Sequence, residues 1–328
     1  MTLTSFGTLP DGRKVQRATL TGGGLTAQVL DLGVIVQDLR MEGVDYPLVL
    51  GAADPAAYLG PARYFGAIIG RFANRIGNAR FSIDGREYHT DPNFLNRHTL
   101  HGGIDGADIH LWQITAQDPA SVTMTLTLPD GHMGFPGAIA MTAKVALADG
   151  AISFTLSAES DAPTPCSLTH HGYFDLDGRG DIRQHRLRIA ADTMLPVDED
   201  RIPTGEIASV TGGRFDFRQT RVIGDSGYDC NFCLSERPQP LRPVAWLEGE
   251  SGVAMRVETT TCGVQLYDGA FINEVPGLDG RRYGPHAGLA LETQNWPDAP
   301  NHPQFPDAIL RPGAVWTETT RYVFSRPA

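Results

Sequence analysis

The sequence predicts an all-β protein, a large antiparallel β-sandwich with very little helix. Short segments in which apolar and polar residues alternate recur along the whole chain, as expected for half-buried strands. Turn-forming residues are frequent, with 37 Gly and 23 Pro in 328 residues, as many short strands require. We find no long apolar stripe of helical period with capping residues. Because strands continue without a linker or a shift of composition, we expect a single domain over residues 1–328.

The alternation places the strands. Leu25, Ala27 and Val29 alternate with polar residues, and this run continues to Met41. A second run covers residues 122–128. Successive side chains of a strand point to opposite faces, so the apolar residues of each run share one face that can pack on another sheet. Later strands are predicted at residues 187–190, 253–259, 264–267, 289–293 and 314–324.

The clearest local prediction is a β-hairpin. Two alternating runs, residues 139–147 and 152–158, flank Asp149-Gly150, and Asp-Gly is a preferred pair for a two-residue hairpin turn. Short helical turns are expected near Pro55–Leu59 and around residues 307–310. Both are too short to change the all-β class.

Charge and hydropathy exclude several partners. The formal net charge is −11 at pH 7, whereas nucleic acid and anionic membrane surfaces need clustered Lys and Arg. No stretch approaches the ~18 apolar residues that span a bilayer. The N-terminal residues lack a basic segment followed by an apolar run, so no signal peptide is predicted. We therefore expect neither nucleic acid nor membrane as a partner.

The four cysteines predict a reducing compartment. Cys230 and Cys233 form a C-x-x-C pair, but in a strand this spacing places the two side chains on opposite faces. No second pair completes a zinc site. With Cys166 and Cys262 they are expected to be free thiols in the cytoplasm.

The candidate catalytic base is Glu292, in the stretch GLALETQNWPDAPNHPQF at residues 288–305. Leu289 and Leu291 fall on one face of a strand and Glu292 on the other. The strand then breaks into Pro- and Asn-rich loop sequence beside Trp296. This placement suits a base at the rim of a sugar-sized pocket, although a solvated carboxylate at a strand end is the commoner explanation of such a residue.

Four other stretches carry candidate functional groups, and each taken alone also has a plain structural explanation, such as a surface ion pair or a histidine that caps a turn. In LTHHGYFDL, strand parity places His171 and His170 on opposite faces, so only one of them can point into a site. The stretches are GRFANRIGNARFSIDG (70–85), with Arg71 and Arg75; TLHGG (99–103), with His101; SLTHHGYFDLDG (167–178); and GYDCNFCL (227–234), with Asp229.

Motifs for metals and cofactors are missing from the sequence. There is no H-E-x-x-H or comparable ligand pattern, and adjacent histidines on a strand point apart. There is also no P-loop, nucleophile elbow or dinucleotide fingerprint. We therefore expect no metal and no cofactor.

Taken in order, these stretches resemble the aldose 1-epimerase (galactose mutarotase) family. The resemblance runs from FGTLPDGRKV through GRFANRIGNARF, HTLHGG, LTHHGYFDL, YDCNFCL and GVQLYDG to LETQNWPDAPNHPQFP. It implies the family's large β-sandwich, the galactose mutarotase-like supersandwich, and an isomerase that interconverts the α and β anomers of free aldoses without a cofactor. The implied partner is a monosaccharide, and a monomer and a homodimer both remain open.

The resemblance also assigns roles to residues. It makes Glu292 the general base, His171 the general acid and His101 the second active-site histidine. Arg71 and Asp229 become sugar-binding residues. From side-chain chemistry we further expect Gln265 to bind sugar hydroxyls and Trp296 or Phe305 to pack on the apolar face of the ring. The chain departs from the family pattern at His98, His170, Asp175 and Cys230, which leaves the preferred sugar open among hexoses, pentoses and 6-deoxy sugars.

The proposed acid and base have expected protonation states. With ordinary pKa values Glu292 is a carboxylate at pH 7, and a nearby carboxylate should raise the pKa of His171 and favour its acid form. Two alternatives remain. An epimerase of hexose 6-phosphates would need a basic pocket, for which only Arg281-Arg282 is available. A sugar-binding or regulatory sandwich without turnover would need no proton-transfer pair.

Overall fold

The structure is a computed structural model that describes residues 3–326. Within that range almost all regular structure is β-strand, and the helical segments are 3-10 turns of three to five residues. No helix in this part of the chain is long and apolar enough to cross a membrane. The all-β prediction with very little helix is confirmed. The 3-10 turns are Pro55–Leu59, Gly77–Ala79, Ala107–Ile109, His132–Gly134, Leu278–Gly280 and Ala299–Asn301.

The strands follow one another along the chain, joined by turns and loops of varied length. In chain order they are β1 (Leu3–Thr8), β2 (Lys14–Gly22), β3 (Leu25–Leu30), β4 (Val36–Met41), β5 (Ile68–Ile69), β6 (Arg75–Ile76), β7 (Arg80–Ile83), β8 (Arg86–His89), β9 (Thr99–Leu100), β10 (Gln113–Asp118), β11 (Ser121–Leu128), β12 (Ile139–Ala148), β13 (Ala151–Ser160), β14 (Thr164–Pro165), β15 (Thr169–His170), β16 (Tyr173–Phe174), β17 (Arg186–Ile189), β18 (Thr193–Met194), β19 (Ala208–Ser209), β20 (Arg221–Val222), β21 (Asp229–Cys233), β22 (Arg242–Glu248), β23 (Ala254–Thr259), β24 (Gly263–Tyr267), β25 (Val275–Pro276), β26 (Arg282–Tyr283), β27 (Leu289–Gln294), β28 (Ile309–Leu310) and β29 (Trp316–Ser325).

Three antiparallel sheets build the sandwich. The largest has nine strands in the order β10-β11-β12-β13-β29-β23-β22-β17-β20, and a six-stranded sheet has the order β16-β27-β24-β21-β18-β19. Strands β1 to β4 form a third sheet in chain order. Apolar faces of all three contribute to one large buried cluster. Tyr322 of β29, for example, packs on Phe174 of β16 at a ring-centroid distance of 4.8 Å, which joins the nine-stranded to the six-stranded sheet.

The hairpin forms as predicted. β12 and β13 pair from Ile139↔Ser160 to Ala148↔Ala151, and the two turn residues have positive φ, 51° at Asp149 and 71° at Gly150. A type I′ turn needs positive φ at both central positions, which is the reason for its Asp-Gly preference.

Two local predictions need correction. The run from Leu25 to Met41 is two strands, β3 and β4, because the chain turns between them with positive φ at Gly33 and Val34. Residues 307–310 are not helical. The Asp307 carboxylate accepts the backbone N–H of Ile309, a local bond typical of turns, and the chain then pairs as β28 with β14. The turn at Pro55–Leu59 is confirmed, with Asp54 capping its N-terminus.

The cysteines are four buried free thiols. Cys230 lies in the large core cluster, whereas Cys233 packs in a separate cluster with Trp296 and Phe305. The two residues of the C-x-x-C pair therefore occupy opposite faces of β21, as predicted.

Candidate active site

The six-stranded sheet carries a group of polar and aromatic side chains on one face. Glu292 of β27 pairs with Gln265 of β24. Two residues further along β24, Tyr267 is opposite Asp229 of β21. Because side chains two residues apart share a face, Gln265 and Tyr267 fall on the same side as Glu292 and Asp229. The fold thus gathers residues 229, 265, 267 and 292 from three strands that are distant in sequence.

The side chains of the tandem histidines point in opposite directions. The His170 ring stacks on Phe154 in the core, with centroids 4.0 Å apart. His171 points the other way and packs against Tyr173 with a centroid distance of 5.0 Å. The prediction that only one of the two histidines can face a site is confirmed, and the one that does is His171.

A loop places His101 beside His171. His101 has positive φ, as do Gly102 and Gly103 after it, and this tight turn directs the imidazole inward until the two rings are 5.2 Å apart. The backbone N–H of Asn74 donates to His101 Nδ1 at 3.1 Å. Because Nδ1 accepts that bond, the ring proton resides on Nε2 when the imidazole is neutral. Burial lowers the pKa of His101 and favours this neutral form.

These side chains line a cavity of about 270 Å³. That volume is slightly below the usual range for drug-sized ligands, so the cavity suits a small molecule. Two histidines, a glutamate, an aspartate and two arginines face it together with aromatic rings. The lining residues are Tyr64, Asn74, Arg75, Leu100, His101, His171, Tyr173, Arg201, Asp229, Tyr267, Phe271 and Glu292.

Glu292 and His171 form the centre of the cavity. Glu292 Oε1 lies 3.5 Å from His171 Nε2, and both side chains are almost fully buried. Within residues 3–326 neither Glu292 Oε2 nor His171 Nδ1 has a hydrogen-bond partner. Buried polar atoms of a folded protein are nearly always paired, so these two atoms are exceptions, and each belongs to a side chain that lines the cavity.

Burial dominates the protonation of this pair. Desolvation, assisted by the negative charge of Asp229 and opposed by Arg75, raises the pKa of Glu292 to about 8. Desolvation also lowers the pKa of His171 to about 4, against the opposing effect of Asp229. Removing a group from water disfavours its charged form. At neutral pH the pair therefore holds one proton, and the two pKa values assign it to Glu292.

This result reverses the expectation from the sequence. The expectation had Glu292 ionised at pH 7 and the pKa of His171 raised by a nearby carboxylate. Asp229 does act on His171 in the expected direction, but the loss of hydration outweighs it. Nearly complete burial depends on packing from several strands and loops, which the local sequence does not reveal.

Asp229 is held by side chains from three directions. Its Oδ1 accepts Gln265 Nε2 at 2.6 Å, and its Oδ2 accepts Arg75 Nη2 at 3.0 Å. Arg201 Nη1 is 3.5 Å from the same Oδ2. Gln265, predicted as a direct sugar ligand, does not line the cavity and instead fixes the orientation of Asp229.

Arg71 is not at the cavity, in contrast to the prediction. Its guanidinium is buried and donates to the carbonyls of Pro136 and Gly137 at 2.9 and 2.7 Å and to the Thr164 hydroxyl at 3.2 Å. Arg75, four residues later in the same stretch, supplies the cationic group. The irregular backbone around these residues has no strand parity from which to choose between the two arginines.

Trp296 and Phe305 are also placed away from the cavity. Their rings pack edge to face with centroids 5.2 Å apart inside a separate apolar cluster, and the Trp296 indole N–H donates to the Cys262 carbonyl. The aromatic side chains that do face the cavity are Tyr64, Tyr173, Tyr267 and Phe271.

Phe271 is the exposed aromatic residue at the cavity mouth. It is 63% exposed and lies under the Arg201 guanidinium at 4.2 Å. Sequence inspection missed Phe271, Arg201, Asn74 and Tyr64 because all four lie in loops. A large exposed aromatic beside an arginine is a recognisable signal only once the surface is known.

The four departures from the family pattern lie outside the cavity lining. His98 accepts the Asn78 N–H at Nδ1 and pairs with Asp200 through Nε2. Asp175 accepts backbone N–H groups of residues 177, 178 and 180. His170 and Cys230 belong to the core.

Three side chains of the same cavity also carry atoms of the kind that bind metal ions. One atom each from His101, His171 and Glu292 lies within 4.8 Å of the others. Imidazole and carboxylate are common ligands of divalent transition metals. They are equally the usual carriers of protons in general acid–base catalysis.

Fold and cavity together define a β-sandwich protein with a small, buried acid–base site. Comparison with known proteins agrees. The family model of aldose 1-epimerase matches residues 16–323. Galactose mutarotase of Rattus norvegicus is 40% identical over 99% of this chain and 98% of its own length. Aldose 1-epimerase of Escherichia coli is 37% identical over 96% of both.

A solved structure shows the same architecture. The crystal structure of an aldose epimerase homologue from C. elegans superposes with a TM-score of 0.89 at 29% identity, over 95% of this chain and 99% of that one. The chain belongs to the aldose 1-epimerase family, and it is an isomerase of the epimerase type.

Proposed function

We propose that this enzyme is an aldose 1-epimerase that interconverts the α and β anomers of free aldoses, with Glu292 as general base and His171 as general acid. The observation that carries the proposal is their 3.5 Å contact inside a cavity of about 270 Å³. Relatives named galactose mutarotase and aldose 1-epimerase, similar over nearly the whole chain, support it.

The geometry suits the reaction because anomerisation moves protons at two oxygens bonded to the same carbon. Glu292 takes the proton of the C1 hydroxyl while His171 gives a proton to the ring oxygen, and the C1–O5 bond breaks to leave the open aldehyde. Rotation about C1–C2 exposes the other face of the carbonyl. Ring closure then reverses both transfers, so the enzyme returns to its starting protonation state.

The pair needs one shared proton for this cycle. By their pKa values that proton is on Glu292 before a sugar binds, and the reacting form has it on His171. At 3.5 Å the two groups are too far apart for a direct hydrogen bond but close enough for one sugar hydroxyl to contact both and carry the proton between them. Hydrogen bonds from the sugar replace hydration that burial removed, which lowers the free energy of the charged pair.

Other cavity residues orient the sugar. Asp229, held by Arg75 and Gln265, accepts hydrogen bonds from hydroxyl groups. His101 donates from Nε2, since its Nδ1 is occupied by the Asn74 amide. Phe271 and the tyrosine rings supply apolar surface for the C–H face of the ring.

A phosphorylated substrate is less well supported. The Arg281 guanidinium donates to the Gly178 carbonyl and Arg282 pairs with Glu274. Neither arginine lines the cavity. Arg201 does, but it already faces Asp229 and Phe271.

The test is polarimetry. Freshly dissolved α-D-galactose should reach its equilibrium rotation faster with the enzyme, and a panel with glucose, xylose, arabinose and fucose ranks the sugars. Unchanged mutarotation for the whole panel, alongside calorimetric binding of a sugar, would favour a non-catalytic sugar-binding protein. Faster mutarotation of glucose 6-phosphate than of glucose would favour the alternative hypothesis, an epimerase of hexose 6-phosphates.

We also propose that the chain is one domain working in the cytoplasm. Four free buried thiols support a reducing compartment, and the largest buried cluster draws on all three main sheets. A single calorimetric unfolding transition and cell fractionation test these two points. Two separate transitions, or recovery of the enzyme outside the cytoplasmic fraction, would contradict them.

A further inference from the structure

We infer that Asp105, His110 and His132 form a second site on this enzyme, one that binds a divalent transition-metal ion, for which we name Zn²⁺. The three side chains lie outside the catalytic cavity. One ligand atom of each lies within 4.8 Å of the other two. The inference does not depend on which sugar the enzyme uses.

The geometry is close to that of a metal centre. Asp105 Oδ1 is 3.2 Å from His110 Nε2, and Asp105 Oδ2 is 3.0 Å from His132 Nε2. With Zn–N bonds of about 2.0–2.1 Å, the edge of a tetrahedron of ligands is about 3.3 Å. The two Asp105 contacts are therefore at the spacing of ligands around one ion. The imidazole nitrogens lie within 4.8 Å of each other, and rotation of the three side chains would bring them to that ion.

The chemistry of the donors selects the ion. Two imidazole nitrogens and one carboxylate favour zinc and its neighbours over magnesium and calcium, which prefer all-oxygen ligands. Three protein ligands leave one tetrahedral position for water. All three side chains are partly exposed, so an ion can enter from solvent.

The backbone around the site is well anchored. His110 follows the 3-10 turn Ala107–Ile109, and its carbonyl accepts the Gly33 N–H at 2.8 Å. His132 begins the turn His132–Gly134. That turn is held at Met133, whose carbonyl accepts the Asp91 N–H at 3.0 Å. Pre-positioned ligands lose less conformational entropy when they bind an ion.

The site links two loops near the catalytic cavity. Asp105 is four residues after His101 in the loop that carries this active-site histidine. A Cβ placed at Gly103 in the same loop would lie 2.9 Å from the Met133 side chain, so the two loops are in close contact. An ion bound by Asp105 and His132 would fasten them together.

The balance of charge is favourable for a cation. Arg63 is the nearby cationic side chain, but it is paired with Asp108 at 2.9 Å. Arg63 also acts on Asp105 through its charge, but the direct contacts of the Asp105 carboxylate are the two imidazoles. Without metal, the cluster is a pair of histidine–carboxylate contacts, and the experiment must distinguish these two states.

The experiment is calorimetric titration of chelator-treated enzyme with ZnCl₂, together with thermal unfolding at each zinc concentration. We expect one ion per chain and a midpoint temperature that rises with zinc. His110→Gln and His132→Gln should each weaken binding at least about tenfold. Their mutarotation rates without zinc should equal the wild-type rate, since neither residue faces the cavity.

The matched control is His89→Gln, which removes an exposed histidine that pairs with a single carboxylate, Glu87, at 2.9 Å. Its zinc affinity should stay at the wild-type value. Affinity should also fall as the pH is lowered from 7.5 to 5.5, because metal competes with protons for imidazole.

Two results would overturn the inference. One is an absence of saturable zinc binding to the wild-type enzyme. The other is undiminished zinc binding to both variants. If added zinc then also abolished their mutarotase activity, the ion would be on His101, His171 and Glu292 instead.

Discussion

The candidate active-site cavity and the interior beneath it contain the same residue types in opposite settings. Glu292 and Glu318 are both about 2% exposed, and burial raises the pKa of each carboxyl. Glu318 lies in the interior beneath β27, where its Oε1 accepts the hydroxyls of Thr293 and Thr320 at 3.2 and 3.1 Å. Glu292 instead contacts His171 at 3.5 Å, and both side chains line the cavity.

The histidines repeat this contrast. Burial lowers the pKa of His170 to about 3 and of His171 to about 4. His170 is enclosed by aromatic rings of the core, whereas His171 opens to the cavity. A shifted pKa therefore does not by itself identify a catalytic group. Access for a ligand and a proton-transfer partner within reach separate the two settings.

The largest expected effect is the loss of activity in Glu292→Gln. An amide cannot accept the C1 proton, so mutarotation should fall by about 10²–10⁴-fold. Polarimetry measures the rate. Glu318→Gln is the control and should keep the wild-type rate, since that carboxyl does not line the cavity that holds Glu292 and His171. Equal losses in both variants would remove the distinction between the two regions.

Glu292→Gln should lose activity but gain thermal stability at alkaline pH. The pKa of Glu292 is raised from 4.5 to about 8 on folding, so the folded chain binds more protons than the unfolded chain between these values. Stability from this group is thus lost as pH rises through that window. The variant should unfold at a temperature no lower than the wild type at pH 7 and higher at pH 9.

His171→Asn should reduce mutarotation by about 10²-fold or more, because protonation of the ring oxygen is lost. The matched change His170→Asn should leave kcat near the wild-type value and lower the stability by about 1–3 kcal/mol, since it disrupts core packing. Rates per folded molecule and urea unfolding curves separate the effects. A fully active His171→Asn would refute the acid assignment.

Arg75→Lys tests the corrected choice of arginine. Arg75 donates to Asp229, and a hydrogen bond between charged groups is worth about 1.5–3 kcal/mol, so KM should rise about 10–100-fold. Arg71→Lys should leave KM unchanged and lower stability, because Arg71 contacts only structural acceptors. The opposite pattern in steady-state kinetics would restore the original prediction.

The pH profile is the subtlest prediction. The pair holds one proton between the pKa values of about 4 for His171 and about 8 for Glu292, and one proton is what the reaction needs. The kcat/KM value should be level in this interval. It should fall tenfold per unit above pH 8, where the proton is lost, and below pH 4, where a second binds. A decline that begins near pH 6.5 would instead indicate ordinary pKa values.

Sequence patterns predicted what depends on local periodicity. Alternation gave the strands and the hairpin at Asp149-Gly150, and parity correctly separated His170 from His171. The position of Glu292 on β27, on the face opposite Leu289 and Leu291, was also predicted. These features share a cause, since a strand fixes the direction of every side chain along it.

Features set by loops and by collective burial escaped prediction. Arg71 and Arg75 flank a turn with positive φ at Asn74, so spacing could not tell which one reaches the cavity. Trp296 was expected at the sugar and is in the core instead. The reversed protonation of Glu292 and His171 depends on their exclusion from water by surrounding elements, which no short segment encodes.

The most direct test of the central claim compares Glu292→Gln, His171→Asn and the double variant by polarimetry with fresh α-D-galactose. If the two residues exchange protons with one sugar as a unit, the double variant should be about as slow as either single variant. Losses that multiply in the double variant would show that the two groups act independently, and would contradict the paired mechanism.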